Sequence, residues 1–268
     1  MQYRKVEAGR GAEWLKGAIR LYGEHPGPLA AMGALIGLIG LLPVLGSVVL
    51  TLFYPALLAG LMFAAREAQA GRRIEVVQLF QAFRLPGRLP ALVVLALPGI
   101  LAGLLSIWLI VDLFGLETLA QLASGATSPD KVQPAEGRSL GGVLIKMIAA
   151  ALVVFALVFF AVPLVMFGGG SPWAAMGASL RACGGNLGAL VLYLALLIAV
   201  VLVLSIAIGI VGMLLAALGQ LGQVLVHLAL FAVLLPLTAI GNLLAWQAVF
   251  GDAGAPPATR EDQAVAEL

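Results

Sequence analysis

Four stretches of this chain, residues 29–65, 89–111, 147–180 and 182–251, contain no Asp, Glu, Lys or Arg. About 20 helical residues cross a hydrocarbon layer of ~30 Å, and a run of roughly 18 apolar residues already marks a span. A buried helix of a water-soluble protein imitates one such run, not four. Composition agrees: the chain is 62% hydrophobic and 10% charged, against about 25% charged in soluble domains, and its mean hydropathy is +1.09. The runs are continuous rather than alternating, which excludes a membrane β-barrel. The expected class is an all-α integral membrane protein.

Two stretches are too long for one crossing. Residues 29–65 as a single helix would extend about 55 Å at 1.5 Å per residue, so the chain must fold back. Pro43-Val44-Leu45-Gly46 is the natural reversal, because proline removes a backbone donor and glycine tolerates turn conformations. Gly219 to Gly222 supplies the same break in 182–251. Six spans are expected, at about 29–43, 46–65, 89–112, 141–167, 186–217 and 222–249, in one domain over residues 1–250. Pro98, Pro163 and Pro236 predict kinks. No cleavable secretory signal is visible near the start. The tail, 251–268, is expected to be disordered and cytoplasmic.

Lysine and arginine set the orientation. Arg4, Lys5, Arg10, Lys16 and Arg20 precede the first span, and Arg66, Arg72, Arg73, Arg84 and Arg88 separate the second from the third. With Arg181 and Arg260, twelve of the fifteen basic residues fall on one side. Lys131, Arg138 and Lys146 lie near the other, with Asp112, Glu117, Asp130 and Glu136. By the positive-inside rule both termini are cytoplasmic. The net charge of +2 is therefore a topology signal and no argument for nucleic acid.

PALLAG at 55–60 returns as PLVMFG at 163–168 and PLTAIG at 236–241, each in the second span of a consecutive pair. Ahead of each pair stands a short amphipathic segment: GAIRLYGEHPGPLA, QAFRLPGRLPALV and ASLRACGGNLGALV. Ala12, Leu15, Ile19 and Tyr22 are expected to line one face of the first. Val76, Leu79, Phe80 and Phe83 are expected on the second, and Trp173, Met176, Leu180 and Cys183 on the third, which opens at the N-cap signal Ser171-Pro172. Helices of this kind suit a membrane interface. Three parallel repeats result, each an interfacial elbow helix followed by a transmembrane hairpin, over approximately 10–66, 74–168 and 171–250. Small-xxx-small pairs (Gly33 and Gly37, Ala56 and Gly60, Gly99 and Gly103, Ser205 and Gly209) allow close helix packing where lipid gives no hydrophobic drive.

Polar groups are expensive inside a bilayer and therefore candidates for function. Asp112 and Lys146 end the third span and start the fourth, as an ion pair or as side chains reaching the interface. Gln220, Gln223 and His227 fall within about 60° on one helical face. They either line a hydrated path or bond neighbouring helices, and Asn242 and Gln247 have the same two readings. Arg66, Arg72, Arg73, Arg84 and Arg88 form a basic surface suited to anionic headgroups or to a membrane-protein partner. The lone cysteine, Cys183, is expected to pack as a small apolar residue. No P-loop, HExxH or GxSxG motif occurs, and with only His25 and His227 no metal or cofactor is expected. The expected role is a non-enzymatic envelope scaffold or accessory. The alternative is a small-solute transporter or channel along the polar face of the last span.

RKVEAGRGAEWLKGAIRLYGEHP, AGLMFAAREAQAGRRIEVVQLFQAFR, SPWAAMGASLRACGGN and LLAWQAVFG occur in that order. Together they resemble a family of uncharacterised proteobacterial multi-spanning inner-membrane proteins, known from a Burkholderia member and distantly related to the YciC-like proteins. The resemblance covers nearly the whole chain. It departs at Trp246-Gln247-Ala248-Val249-Phe250, where that family has a tyrosine-rich stretch. It implies a bacterial inner-membrane location and carries over no activity, partner or site residue.

Overall fold

In the computed structural model, which describes residues 2–251, the chain is helical with no strand among the described residues. The expected disordered tail, with Arg260, lies outside the described residues beyond Gly251. The elements run α1 (Arg10–Glu24), α2 (Pro26–Gly40), α3 (Leu45–Gln69), a 3₁₀ turn Val76–Phe80, α4 (Gln81–Arg84), α5 (Arg88–Val94), α6 (Leu97–Phe114) and α7 (Leu116–Ala123). They continue with α8 (Leu140–Val158), α9 (Ala161–Pro163), a π-helical turn Leu164–Gly168, α10 (Pro172–Gly185), α11 (Leu187–Leu214), a 3₁₀ turn Leu215–Leu218 and α12 (Gln220–Phe250).

Five helices are long and apolar enough to cross a membrane: Leu45–Gln69, Arg88–Phe114, Leu140–Gly168, Leu187–Leu218 and Gln220–Phe250. The first expected span is not among them, because α2 has only 15 residues. Both reversals fall where expected. Between α2 and α3 the chain turns through Val44, whose φ of 57° is strained for a β-branched residue, and Gly46 lets α3 pass against the Ile39 carbonyl. Gly219 takes a φ of 58°, and Gly222 sits against the Leu215 carbonyl.

The helices converge at one end. α1 packs on α11 and α12, the 3₁₀ turn and α4 pack on α3, and α10 packs on α8 and α9. Buried residues concentrate beside these elbows: Pro55–Ala68 in α3, Phe159–Met166 around α9, Ala189–Tyr193 in α11 and Pro236–Val249 in α12. Toward the other end α6 and α8 stay packed through Leu109, Leu113 and Val143, and α11 meets α12 where Gly212 faces Val226, but Leu101, Ile107, Ile145, Ile148, Val203 and Ile206 are exposed. Contiguous apolar surface of that extent is compatible with a helix face turned toward lipid.

The elbows differ from the expected faces. α1 buries Gly11, Trp14, Leu15, Ala18 and Leu21, and leaves Ile19 exposed. The bulky Trp14 ring, edge-on to Tyr193 of α11, turns the helix away from the face read through Ala12 and Ile19. The second elbow is not one helix: only Leu79 and Ala82 are buried, while Val76 and Phe83 are exposed. A Glu75–Gln78 capping box starts it, and Gly60 admits the Leu79 carbonyl onto α3. On α10, Met176 and Cys183 are buried as expected, but Trp173 and Leu180 are exposed, and small residues (Ala175, Ala178, Ser179, Ala182) form the contact instead. Ser171 occupies the N-cap position, with Pro172 at the first turn, but makes no side-chain cap bond.

The glycine pairs divide. Gly33 and Gly37 admit Phe231 and Ala232 of α12, and Gly60 serves as described, whereas Gly99, Gly103 and Gly209 face open space. The prolines divide as well. α5 and α6 part at Leu95 and Ala96, just ahead of Pro98, and α8 stops at Phe159 and Phe160, ahead of Pro163. α12 runs on through Pro236. Proline there removes the donor that would bond the Ala232 carbonyl, and the Tyr22 hydroxyl of α1 donates to that carbonyl at 3.3 Å. The break before Pro163 is also repaired from an elbow. In a regular helix the Phe160 N–H would donate to the Ala156 carbonyl. Here the fully buried Ser179 hydroxyl stands between them, accepting from the Phe160 N–H (3.0 Å) and donating to Ala156 O (2.7 Å).

Removing the hydroxyl with Ser179→Ala orphans the Phe160 N–H and leaves the Ala156 carbonyl only the weak Cys183 thiol donor at 3.7 Å. The change should cost about 1–3 kcal/mol, read as a lower unfolding temperature in mild detergent. Cys183, one turn further along α10, has its thiol pushed up to about 11 by burial, against a smaller opposing effect of Ser179. Maleimide should therefore label it on the order of a hundredfold more slowly than a free thiol at pH 8, and rapidly once detergent denatures the protein.

Candidate functional site

The strongest polar concavity lies at the converging end and is built by the segment before α1. Residues 2–9 form no helix, so their backbone groups need partners. Arg4 donates its N–H to the Val249 carbonyl at 2.7 Å. Asn186, between α10 and α11 and only 3% exposed, does the rest. Its Oδ1 accepts from the Val6 N–H (2.8 Å), and its Nδ2 donates to Arg4 O (3.2 Å) and Ala182 O (2.9 Å). Tyr3 packs on Gly185, and Ala8 packs on Gly188.

This clamp holds Arg4 and Lys5 at the rim of a groove of about 720 Å³, whose walls include Arg10, Arg20, Gln69 and Gln247. Arg10 is bonded to Glu13, and Arg20 lies 3.8 Å from Glu24. Gln69 and Gln247 bond each other, Gln247 Nε2 donating to Gln69 Oε1 at 2.9 Å. Arg4 and Lys5 have no carboxylate partner among the described residues. The pattern of basic residues before the first span reads as topology alone. Their gathering along α1 and the end of α12 depends on Asn186, 180 residues beyond Val6.

The five arginines singled out from the sequence do not form one open patch. Arg72 is held by Glu67 through two bonds of 2.6 Å. The Arg66 guanidinium lies 4.9 Å from the centre of the Phe167 ring, a cation–π contact. Arg88 fills the space beside Gly169, whose φ is 70°. Arg73 and Arg84 are exposed and without a carboxylate partner among the described residues.

At the opposite end Asp112 bonds Arg138 at 2.7 Å, not Lys146, which is exposed. The loop between α7 and α8 folds back over the end of α6, where Ala135 donates its N–H to Leu113 O at 2.7 Å, and this brings Arg138 to the carboxylate. Gln220 and Gln223 are exposed near that end. His227 is separated from them in role: its Nε2 meets the Gly37 carbonyl at 3.1 Å, and its ring stacks on Phe231. It ties α12 to α2.

A second concavity, about 690 Å³, lies among α3, α6, α8, α11 and α12. Its walls are apolar apart from Thr51, Tyr54, Tyr193, Thr238 and Asn242, and no charged side chain lines it. No three His, Cys, Asp or Glu side chains among the described residues come together as metal ligands. No family model, curated protein or solved structure matches the chain.

Asn186→Ala removes three hydrogen bonds from the N-terminal clamp. Trypsin cleavage after Arg4, Lys5 or Arg10 should then accelerate about tenfold or more in folded protein, measured by peptide mass against time.

Proposed function

We propose that the chain is a six-span integral protein of a bacterial inner membrane, with both termini cytoplasmic, that works without catalysis. Its role is that of an envelope accessory holding an anionic lipid at the elbow face. The open, cationic groove at Arg4 and Lys5 carries the proposal. Two charges fixed by backbone bonds beside an amphipathic helix offer a phosphate headgroup what it needs: cations at the interface and an apolar surface below them. Arg73 and Arg84 add exposed charge on the same side. A membrane-protein partner with an acidic segment is the other occupant that this chemistry admits.

Three parallel elbow-plus-hairpin units underlie the topology proposed. Their packing order supports it, since the second and third elbows each lie on the second helix of the hairpin before them (the turn and α4 on α3, α10 on α8 and α9), and α1 lies on α12, the second helix of the last hairpin. α2 would be the sixth span. Its 15 residues extend only about 22 Å, a mismatch that a locally thinned bilayer accommodates. The positive-inside rule then puts the converging end in the cytoplasm. This architecture and location agree with the resemblance to the proteobacterial inner-membrane family. A solute path along Gln220, Gln223 and His227 has less support, because the imidazole is engaged with Gly37.

Native mass spectrometry of protein extracted in mild detergent tests the role. Wild type should retain phosphatidylglycerol or cardiolipin, and Arg4→Glu/Lys5→Glu should lose most of it, as expected for removing two headgroup contacts worth about 1 kcal/mol each. A stoichiometric protein released by the same variant would replace the lipid with a partner. Wild type that retains neither would overturn the proposal.

A further inference from the structure

The cavity among α3, α6, α8, α11 and α12 combines three properties seldom found together in a packed helix bundle. Its volume, about 690 Å³, falls within the range of about 300–1,000 Å³ typical of small-molecule sites. Leu58, Leu95, Ile100, Phe155, Val158 and Leu197 supply apolar walls, and no ionisable Asp, Glu, Lys, Arg or His lines it. Two of its lining residues carry buried polar atoms with no protein partner: the hydroxyl of Tyr193, 1% exposed, and Oδ1 of Asn242, 5% exposed.

Trp14 Nε1 and Trp246 Nε1 are buried without a partner as well, but neither residue lines this cavity, and other polar side chains at this end are bonded. Ser179 bridges a broken helix, Asn186 clamps the N-terminal segment and Tyr22 bonds the Ala232 carbonyl. Tyr193 and Asn242 differ from the two tryptophans in lining a cavity from which a ligand can reach them, and each unpartnered group costs stability unless something bonds it. The two residues sit on neighbouring helices, with the Tyr193 hydroxyl against Gly241, the residue next to Asn242. A phenol donates and accepts, and an amide oxygen accepts. A single hydroxyl group that reaches both would accept from Tyr193 and donate to Asn242, and so satisfy both. A ligand carbonyl leaves the amide oxygen unpartnered, and a phosphate or carboxylate meets no countercharge in an apolar wall.

Access is lateral. Thr51, Tyr54 and Gly99, at the cavity's edge, are exposed on the helix surfaces that also expose Val48 and Leu101. A ligand arriving there comes from the hydrocarbon phase. We infer that this cavity is a binding site for an uncharged, hydroxyl-bearing lipid, whose chain lies against α3, α8 and α11 and whose hydroxyl bonds Tyr193 and Asn242. The site does not depend on the groove at the elbow face.

The probe is a diacylglycerol with a diazirine in one acyl chain, photolysed with full-length protein in nanodiscs and mapped by peptide mass spectrometry. Label should fall on residues 50–58 and 194–197. Dioleoylglycerol should compete at least about tenfold better than dioleoylphosphatidic acid, which keeps the chains and replaces the hydroxyl with a charge. Tyr193→Phe and Asn242→Leu should each weaken labelling about tenfold, with unfolding temperatures in detergent unchanged or raised. Tyr193→Phe deletes only an oxygen without a protein partner, so it decides the matter should Asn242→Leu fail to fold. Equal competition by phosphatidic acid, unchanged labelling in Tyr193→Phe, label confined to the far halves of α6 and α11, or cross-links between two copies through the cavity would each overturn the inference.

Discussion

In hydrocarbon no water is available to bond an exposed peptide group, so every N–H and C=O of a spanning helix must find its partner within the protein. That constraint organises this molecule. Pro236 and the break between α8 and α9 interrupt helical ladders in the buried end of the bundle, and in both cases an elbow side chain stands at the interrupted turn. Ser179 inserts between Phe160 and Ala156, and Tyr22 takes the carbonyl that Pro236 leaves free. The elbows are thus more than surface helices. They supply polar groups that let the breaks stay buried, which is why the densest packing lies beside them.

Close packing follows from the same arrangement. Gly33 and Gly37 bring α2 onto α12, and Gly60 brings the second elbow onto α3. Gly33 and Gly60 let backbone meet backbone and Gly37 admits the Phe231 ring, and dispersion holds the contact, the main attraction left between helices in lipid. At the opposite end the contacts are fewer: Leu109 and Leu113 of α6 meet Val143 of α8, and Gly212 of α11 meets Val226 of α12. The cavity with Tyr193 and Asn242 lies among α3, α6, α8, α11 and α12.

Much of this was legible in the sequence where the cause is local. The reversals at 43–46 and 219–222 follow from proline and glycine chemistry in the turn itself, and the helices from uncharged length. The faces of the elbows were legible only in part: Leu15, Leu79, Met176 and Cys183 are buried as expected, while Val76, Phe83, Trp173 and Leu180 are exposed. Ala12, Leu15, Ile19 and Tyr22 have good helical spacing, yet Trp14 and Ala18 are buried and Ile19 is exposed, because the neighbours α11 and α12 select the face. Gly99 and Gly103 have the same spacing as Gly33 and Gly37 but meet nothing. Spacing defines a stripe and cannot say whether another helix lies across it.

The same division runs through the candidate sites. Charge counting identified which ends are basic, but Arg66, Arg72 and Arg88 are engaged with Phe167, Glu67 and the space beside Gly169. Asp112 meets Arg138 because a loop folds back, and His227 meets Gly37 because α2 lies beside α12. By itself the sequence determined that the chain is helical and apolar enough for a membrane, since hydropathy and helix length are sums over neighbouring residues. Tertiary structure alone decided which polar groups are partnered, which cations remain open and where the bundle leaves a cavity. A hydrogen bond or an ion pair depends on the distance between residues far apart in the chain, and only packing sets that distance.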